Sequence, residues 1–319
     1  MSTYLIRLVL QRFALGLITL FAISILIFLS AEILPGDVAQ TILGQSATPE
    51  NLANLRTQLG LDKPPLQRYV NWLGGVLQGD FGTALTNRQP VAKLIGTRFG
   101  NTLFLAFVSA IIAVPLAILL GLLAVRFRDK WPDKLISALT LTTISLPEFF
   151  VGYVLILVFA IKLRWFPSLS TVSSTMDLGD RLWVIVLPCA TLTFVVLAHM
   201  MRMTRAAIIG VMSSPYIEMA QLKGVSPFNI IFRHALPNAI SPIINVVVVN
   251  LAYLIVGVVV VEVIFVYPGM GQLFVDNVSK RDLPVVQACG LIFATVFIGL
   301  NMLADILSIL SNPKLRFPK

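Results

Sequence analysis

Long apolar runs, separated by shorter polar stretches, set the pattern of the chain. Crossing the roughly 30 Å of hydrocarbon in a bilayer takes about 20 residues of α-helix. Six runs come close to that length or exceed it, at residues 13–31, 101–125, 135–161, 182–201, 239–261 and 283–304. Each is predicted to be a helix, because a helix satisfies its own backbone polar groups in lipid. Glu148 alone places a charged side chain inside one of these runs.

The composition agrees with a membrane protein. Hydrophobic residues make up 57% of the 319 residues and charged residues only 12%, about half the charged share of a soluble domain. This balance excludes a disordered chain, a secreted disulfide scaffold and an ordinary cytosolic enzyme. It predicts an all-α membrane protein with six transmembrane helices. Cys189 and Cys289 both lie in apolar runs, where we expect small core residues without a disulfide or metal role.

Basic residues predict the orientation of these helices. The net charge of +9 suits lysines and arginines that hold membrane helices in place, rather than a nucleic-acid partner. Six spans put both termini on one side, and the short loops on that side carry more Lys and Arg than those opposite. Both termini are therefore expected in the cytoplasm. The predicted divisions are 1–34, an outer loop over 35–100, and 101–319, which includes a cytoplasmic loop over 204–237.

The first run also fits a cleaved secretory signal peptide. It is longer than a typical signal core, and Leu-Pro-Gly-Asp (34–37) follows it without a small-x-small cleavage site. We therefore expect a retained first span.

The long outer loop is predicted to contain two short helices. Thr48-Pro49-Glu50 is a helix start, with a capping threonine and a proline at the first helical position, and Gly60 would end that helix. A second helix is predicted over 65–78, and 79–82 would form a turn. Two interpretations remain open: an interfacial cap with an aromatic anchor, or a docking surface for an external protein.

Several kinds of chemistry are missing from the sequence. No G-x-x-x-x-G-K-[ST] motif is present, so the chain has no P-loop. His199 and His234 have no partner at a metal or catalytic spacing. Glu148, directly after Pro147, either faces a bundle interior or water-lined vestibule, or lies on a solute pathway. An ion-coupled secondary carrier built around Glu148 is the alternative class, whereas a membrane-embedded enzyme lacks paired catalytic groups.

The loop over 204–237 holds the clearest local motif. Ser214-Pro215 predicts a helix start with Ser214 as the cap, and Gly224 predicts its end. A second helix would start at Ser226-Pro227 and end or kink at Leu236-Pro237. Helical spacing places four residues of the first helix on one face: Tyr216, Met219, Ala220 and Lys223.

These residues resemble a known family. Glu218-Met219-Ala220, followed by Gly224 and Leu236-Pro237, is similar to the EAA loop of ABC importer membrane subunits, with departures at Met219 and His234. Seven further stretches, in family order, resemble the dipeptide/oligopeptide/nickel permease family. They are Leu-Pro-Gly-Asp (34–37), Leu-Gly-Leu-Asp-Lys-Pro (59–64), Gly-Asp-Phe-Gly (79–82), Arg-Met-Thr-Arg (202–205), Tyr-Pro-Gly-Met-Gly-Gln-Leu-Phe-Val-Asp (267–276), Arg-Asp-Leu-Pro-Val-Val-Gln (281–287) and Asn-Pro-Lys-Leu-Arg (312–316).

The resemblance implies a type I importer bundle, similar to the methionine permease, in the inner membrane of a bacterium. The implied partners are a second homologous permease, two ATPase subunits that bind ATP and Mg, a periplasmic or lipid-anchored binding protein, and membrane lipids. No cofactor is expected in this chain. Di- and oligopeptides are the first expectation for the solute, with nickel, opines, glutathione and oligosaccharides left open.

The resemblance also implies site residues. The implied contacts with the ATPase are Tyr216, Glu218, Met219, Ala220, Lys223 and Gly224. Glu218 is expected to cap or form a salt bridge within the loop. For contact with the binding protein the candidates are Trp72, Asp80 and Phe81. Glu148 is the candidate for the translocation pathway because of its position inside an apolar run, independently of the resemblance.

Overall fold

The computed structural model describes residues 3–33, 39–40, 47–58, 60–173 and 175–311. The motifs at 34–37 and 312–316, and Leu59 at the start of the 59–64 motif, lie outside these ranges. Within them the chain is helical, with one isolated bridge between Thr83 and Pro90.

The described α-helices range from three to 36 residues in length. In chain order they are α1 (Thr3–Ile33), α2 (Pro49–Gln58), α3 (Pro65–Leu77), α4 (Val91–Arg126), α5 (Trp131–Ser145), α6 (Glu148–Leu155), α7 (Leu178–Val184), α8 (Val186–Met212), α9 (Pro215–Leu222), α10 (Pro227–Asn229), α11 (Leu236–Val256), α12 (Val259–Ile264), α13 (Met270–Ser279) and α14 (Leu283–Ser311). Two π-helical stretches, Ile156–Lys162 and Ile230–Ala235, follow α6 and α10. We call the side where α1 begins the near side and the other the far side.

Five described helical segments are long and apolar enough to cross a membrane: Ile6–Ser30, Val91–Arg126, Val186–Met212, Pro227–Ile264 and Leu283–Ile309. A bent pair formed by α5 and α6 makes six when it is counted as one span. The predicted all-α membrane bundle is confirmed.

The third predicted span is not one straight helix. α5 and the segment that begins with α6 meet at an angle of 102°. Pro147 has no N–H to continue the helix, and it disfavours helical geometry at the residue before it. Leu146 is accordingly extended, with φ −92° and ψ 131°. The expectation of a continuous helix over 135–161 was therefore wrong.

Helix ends also differ from the edges of the apolar runs. α4 starts at Val91, before the apolar run at 101, and α8 continues to Met212, past the run that ends at 201. The expected end or kink at Leu236-Pro237 is a junction instead, because a π-helical stretch leads directly into α11. Pro237 lies in the first turn of α11, where its missing N–H costs little.

The core lies between α4, α8 and α11. Leu105 of α4, Leu192 of α8 and Leu254 of α11 are buried there together with Phe265, which follows α12. α14 packs on α11, and α1 packs on the outside of α14. α1 is therefore a peripheral helix, joined to the bundle mainly through one neighbour.

A buried carboxylate organises the far side of the bundle. The Glu262 side chain is fully buried and accepts a hydrogen bond from the Thr102 hydroxyl at 2.6 Å. It also accepts bonds from the backbone N–H groups of Gly271 and Gln272, at 2.7 and 3.2 Å. These amides open α13, where unpaired N–H groups favour a negative charge. One side chain thus joins α4, α12 and α13.

The turn before α13 completes this network. Burial raises the pKa of the Tyr267 phenol, which donates a hydrogen bond to the Asn101 carbonyl at 2.8 Å. A Cβ on Gly269 would overlap the Glu262 carboxylate, and one on Gly271 would lie 2.6 Å from the Val259 Cα. The glycines of the 267–276 motif are therefore required by close packing.

We predict that Gly269→Ala destabilises the protein, because the added methyl group displaces the Glu262 carboxylate from its donors. Overpacking of this kind costs about 1–3 kcal/mol. The measurement is the melting temperature of detergent-purified protein, followed by gel filtration. Gly74→Ala in α3 is the control, since no atom lies within 4 Å of its added Cβ. Equal melting temperatures for the two variants would contradict this assignment.

Candidate functional site

α9 begins where the sequence predicts it, but its cap differs. The Ser214 carbonyl accepts hydrogen bonds from the N–H groups of Ile217 and Glu218, at 2.9 and 3.3 Å. The Ser214 hydroxyl accepts no capping bond, so the predicted side-chain cap was wrong. Ser226 does cap the next helix, with its hydroxyl oxygen accepting from the Asn229 N–H at 3.4 Å.

Gly224 ends α9 as predicted. Its φ is +76°, a backbone conformation that glycine adopts at little cost. The N–H of Val225 then reaches the Ala220 carbonyl at 3.1 Å, and the N–H of Gly224 reaches the Gln221 carbonyl at 2.9 Å. These bonds satisfy carbonyls at the helix end and turn the chain sharply toward α10.

Ile217 anchors α9 to the rest of the bundle. Its side chain is fully buried in a cluster with Ile208 of α8, Val125 of α4 and Ile231 of the π-helical stretch. Sequence reasoning missed this residue. Helical spacing puts Ile217 and Leu222 on different sides of α9, but only the positions of α8 and α10 decide which of them points inward.

The rest of α9 is open to the surroundings. Tyr216, Met219 and Leu222 are 45%, 53% and 77% exposed. Glu218, Lys223 and Gly224 are also exposed, whereas Ala220 is half-buried. Within the described residues Glu218 makes neither the expected cap nor a salt bridge. Most of the predicted coupling residues therefore form a free surface.

An aromatic pair extends this surface. Phe228 and Phe232, with ring centroids 4.4 Å apart, are 58% and 40% exposed. They follow α9 directly in the chain, and the Tyr216 hydroxyl donates to the His234 carbonyl at 3.4 Å. An exposed apolar surface of this kind is typical of a contact with another protein or with the membrane.

An ion pair fixes α5 to α8 on the same side of the bundle. Arg205 donates from Nε and Nη2 to the two carboxylate oxygens of Asp133, at 2.9 and 2.7 Å. The N–H of Asp129 also donates to Asp133 at 3.1 Å. The Asp133 side chain is only 5% exposed, so both of its oxygens depend on these donors. Arg205 belongs to the 202–205 motif, but its partner could not be identified from the sequence.

Glu148 is the first residue of α6, immediately after the bend. Its Oε2 is buried and has no hydrogen-bond partner in the described part of the chain. One turn later Gly152 lies against Ile264 and Phe265, which places α6 on α12. The carboxylate therefore sits at the one sharp break among the described spans, with unused hydrogen-bonding capacity.

The three predicted outer-loop residues differ in their surroundings. Trp72 is half-buried, with its ring centroid 6.1 Å from that of Phe28 of α1. Phe81 packs partly buried against a second core cluster. Asp80 is exposed, and its Oδ1 accepts the Gly82 N–H at 2.8 Å. The structure does not bring the three together as one exposed patch.

The described ranges contain no candidate metal site. They contain no group of three or more His, Cys, Asp or Glu side chains that could hold an ion. Cys189 and Cys289 are both buried, and neither forms a disulfide.

Two family matches cover most of the chain. Residues 113–317 match the binding-protein-dependent transport system inner membrane component, and residues 5–106 match the N-terminal region of such membrane components. The chain belongs to this family. It is an inner-membrane, multi-pass permease component of an ABC importer, of the peptide, glutathione and nickel type that the sequence motifs indicated.

Curated relatives match this permease over nearly its full length. The glutathione transport system permease protein GsiC of Escherichia coli strain K12 is 38% identical over 304 residues, which cover 95% of this chain and 97% of GsiC. GsiC of Salmonella typhimurium strain LT2 matches at the same identity and coverage.

A solved structure shares the fold of the permease. It shows inward-facing conformations of the MetNI methionine ABC transporter, with a TM-score of 0.54 and 16% sequence identity. The match covers 69% of this chain and 96% of that chain. The predicted methionine-permease-like bundle is therefore confirmed at the level of the fold.

We predict that Ile217→Ala loosens α9 without unfolding the permease. Removing a buried aliphatic side chain costs about 2–5 kcal/mol, and here the loss falls on one short helix. Hydrogen–deuterium exchange should become faster in α9 and stay unchanged in the middle of α8. Met219→Ala, at an exposed position of the same helix, is the matched control. Unchanged exchange in Ile217→Ala would show that the anchor lies elsewhere.

Proposed function

We propose that this permease forms half of a solute pathway and couples it to ATP through α9, which seats on a separate ATPase subunit. The observation that supports this most is a short helix with an exposed apolar face, held to the bundle by the buried Ile217. Such a helix can pass a movement of the bound ATPase to the bundle, because Ile217 fixes it to the bundle while its outer face is free to bind the ATPase.

The proposed orientation places α9 and both termini in the cytoplasm. The near side carries basic residues in and beside its short connections, among them Arg126, Arg128, Lys130 and Lys134 around the turn from α4 to α5. Short loops rich in Lys and Arg face the cytoplasm in membrane proteins. The far side, with α2 and α3, then faces outward.

The proposed partners are the other subunits of importers in this family. Two ATPase subunits bind ATP and Mg, a second homologous permease completes the pathway, and a binding protein delivers the solute from outside. Contact with the binding protein is proposed around the exposed Asp80, with Trp72 and Phe81 fixing the shape of the loop. The exposed apolar side chains of Phe107, Ile111 and Leu119 on α4 form a surface that a second permease subunit or lipid could cover.

Closure of the ATPase pair would move α9. Two sets of contacts, described next, would pass this movement from α9 to the membrane helices. The Ile217 cluster links α9 to α4 and α8. The Arg205–Asp133 ion pair links α8 to α5, which leads to the bend at Glu148. Transport requires that the bundle has two arrangements with different affinities for the ATP-loaded partners.

The proposed solutes are short peptides. Peptides are the commonest solutes of the family that the motifs resemble, and the name of GsiC makes glutathione, a tripeptide, the first probe. We propose that Glu148 lines the pathway, where its unpartnered oxygen offers a hydrogen-bond acceptor to a passing solute.

The coupling role of α9 is tested at Gly224 with a pair of substitutions. Asp and Asn both tolerate positive φ better than other side chains, so they differ mainly in charge. We expect Gly224→Asp to abolish ATP-driven uptake and to release the ATPase during purification, because it places a charge in a close contact. Gly224→Asn should retain more of both activities, and both variants should insert in the membrane normally. Normal uptake by Gly224→Asp would contradict the assignment.

The pathway role of Glu148 is tested in proteoliposomes that contain the whole transporter. We expect Glu148→Gln to lower ATP-driven uptake about tenfold or more, since hydrogen bonds to charged groups contribute about 1.5–3 kcal/mol. ATPase binding should be unchanged. The same assay tests the secondary carrier: uptake by the permease alone, driven by an ion gradient without ATP, would favour it over the importer mechanism.

A further inference from the structure

α3 has three distinct faces, set by the helical repeat of 3.6 residues. One face carries the side chains that pack on α1, namely Tyr69 and Trp72. A second face is apolar along the whole helix and consists of Leu66, Val70, Leu73 and Leu77. The third is polar or small and consists of Gln67, Asn71 and Gly74. A helix that contacts only protein on one side and water on the other needs one apolar face and one polar face. The second apolar face of α3 is therefore left to be explained.

The contacts with α1 fix the depth of α3. The Tyr69 hydroxyl lies 2.8 Å from the Ser24 hydroxyl, and the Tyr69 ring centroid lies 5.4 Å from that of Phe28. The apolar span of α1 extends to Ser30. At 1.5 Å per residue, Ser24 lies about 9 Å before that point along the helix axis. Tyr69 therefore lies alongside the last turns of a membrane-spanning segment, below its far end.

The apolar face is open at this depth. Leu66, Val70 and Leu77 are 75%, 58% and 80% exposed, and helical spacing aligns them in one stripe. An ion pair between Arg68 and Glu32 ties the opposite side of the helix to the end of α1. The stripe cannot turn inward, because the contacts of Tyr69, Trp72 and Arg68 hold α3 in place.

We propose that α3 is an interfacial membrane helix whose Leu66–Val70–Leu77 stripe is buried in phospholipid, at the boundary between headgroups and acyl chains on the far side. In the proposed orientation this is the outer leaflet. Tyr69 and Trp72 lie where aromatic side chains collect in membrane proteins, and the polar face points toward water, as in other helices that lie in the interface. This assignment depends on the geometry of α1 and α3 and not on the solute or the coupling mechanism.

The test is spin labelling of the purified permease in phospholipid nanodiscs. Cys189 and Cys289 are first replaced by alanine, and a single cysteine is introduced as Val70→Cys on the stripe or Asn71→Cys on the polar face. Collision rates are measured with oxygen, which concentrates in lipid, and with a water-soluble nickel chelate. We expect oxygen to dominate at position 70 and the nickel chelate to dominate at position 71. Leu66→Cys repeats the stripe measurement, and gel filtration confirms that each variant is folded.

Two results would overturn the proposal. Dominance of the nickel chelate at both positions 66 and 70 would place α3 in water. Protection of both positions from both reagents in the complete transporter, with exposure to the nickel chelate when the partner proteins are removed, would show that a protein and not lipid covers the stripe.

Discussion

Hydrocarbon offers no hydrogen-bond partner to a peptide group, and this requirement shapes the whole permease. Every long apolar segment in the described residues is helical, since a helix pairs its own N–H and C=O groups. Irregular backbone at membrane depth is tolerated only where protein or water covers it. The regular helical hydrogen-bond pattern is interrupted at several places in the described residues, among them the bend at Leu146–Pro147, the two π-helical stretches and the break between α11 and α12. The bend carries Glu148, and the stretch at Ile230–Ala235 follows α9 closely in the chain.

The two ends of the bundle are held by different interactions. On the far side, the buried Glu262 carboxylate joins α4 and α12 to the start of α13 through short hydrogen bonds. On the near side, the Ile217 cluster and the Arg205–Asp133 ion pair attach α9 and α5 to α8. The bend between α5 and α6 carries Glu148. In the proposed mechanism, movement of α9 is passed to α8 and α5 and so reaches this bend.

Local patterns in the sequence predict local structure well. The length of the apolar runs predicted the membrane spans. Thr48-Pro49 and Gly60 predicted the bounds of α2, and Pro215 and Gly224 predicted those of α9, because helix caps and turns depend on residues only a few positions apart. Contacts between distant residues were not predictable. Thr102 and Glu262 are 160 positions apart, and Asp133 and Arg205 are 72 apart, so no spacing rule pairs them. The direction of Ile217 and the size of the bend at Pro147 depend on neighbouring helices in the same way. The proposed coupling residues on α9 come from the resemblance, and the structure adds the buried Ile217 that anchors this helix.

Photo-crosslinking from α9 in whole cells tests the proposed coupling most directly. A photoreactive amino acid is introduced at Met219, which is 53% exposed, and at Gln67 on α3 as the control on the far side. If α9 seats on the ATPase, position 219 forms an adduct with a P-loop ATPase that disappears in the Gly224→Asp background, and position 67 forms no such adduct. An uptake-competent permease that yields no ATPase adduct from position 219 would contradict coupling through α9.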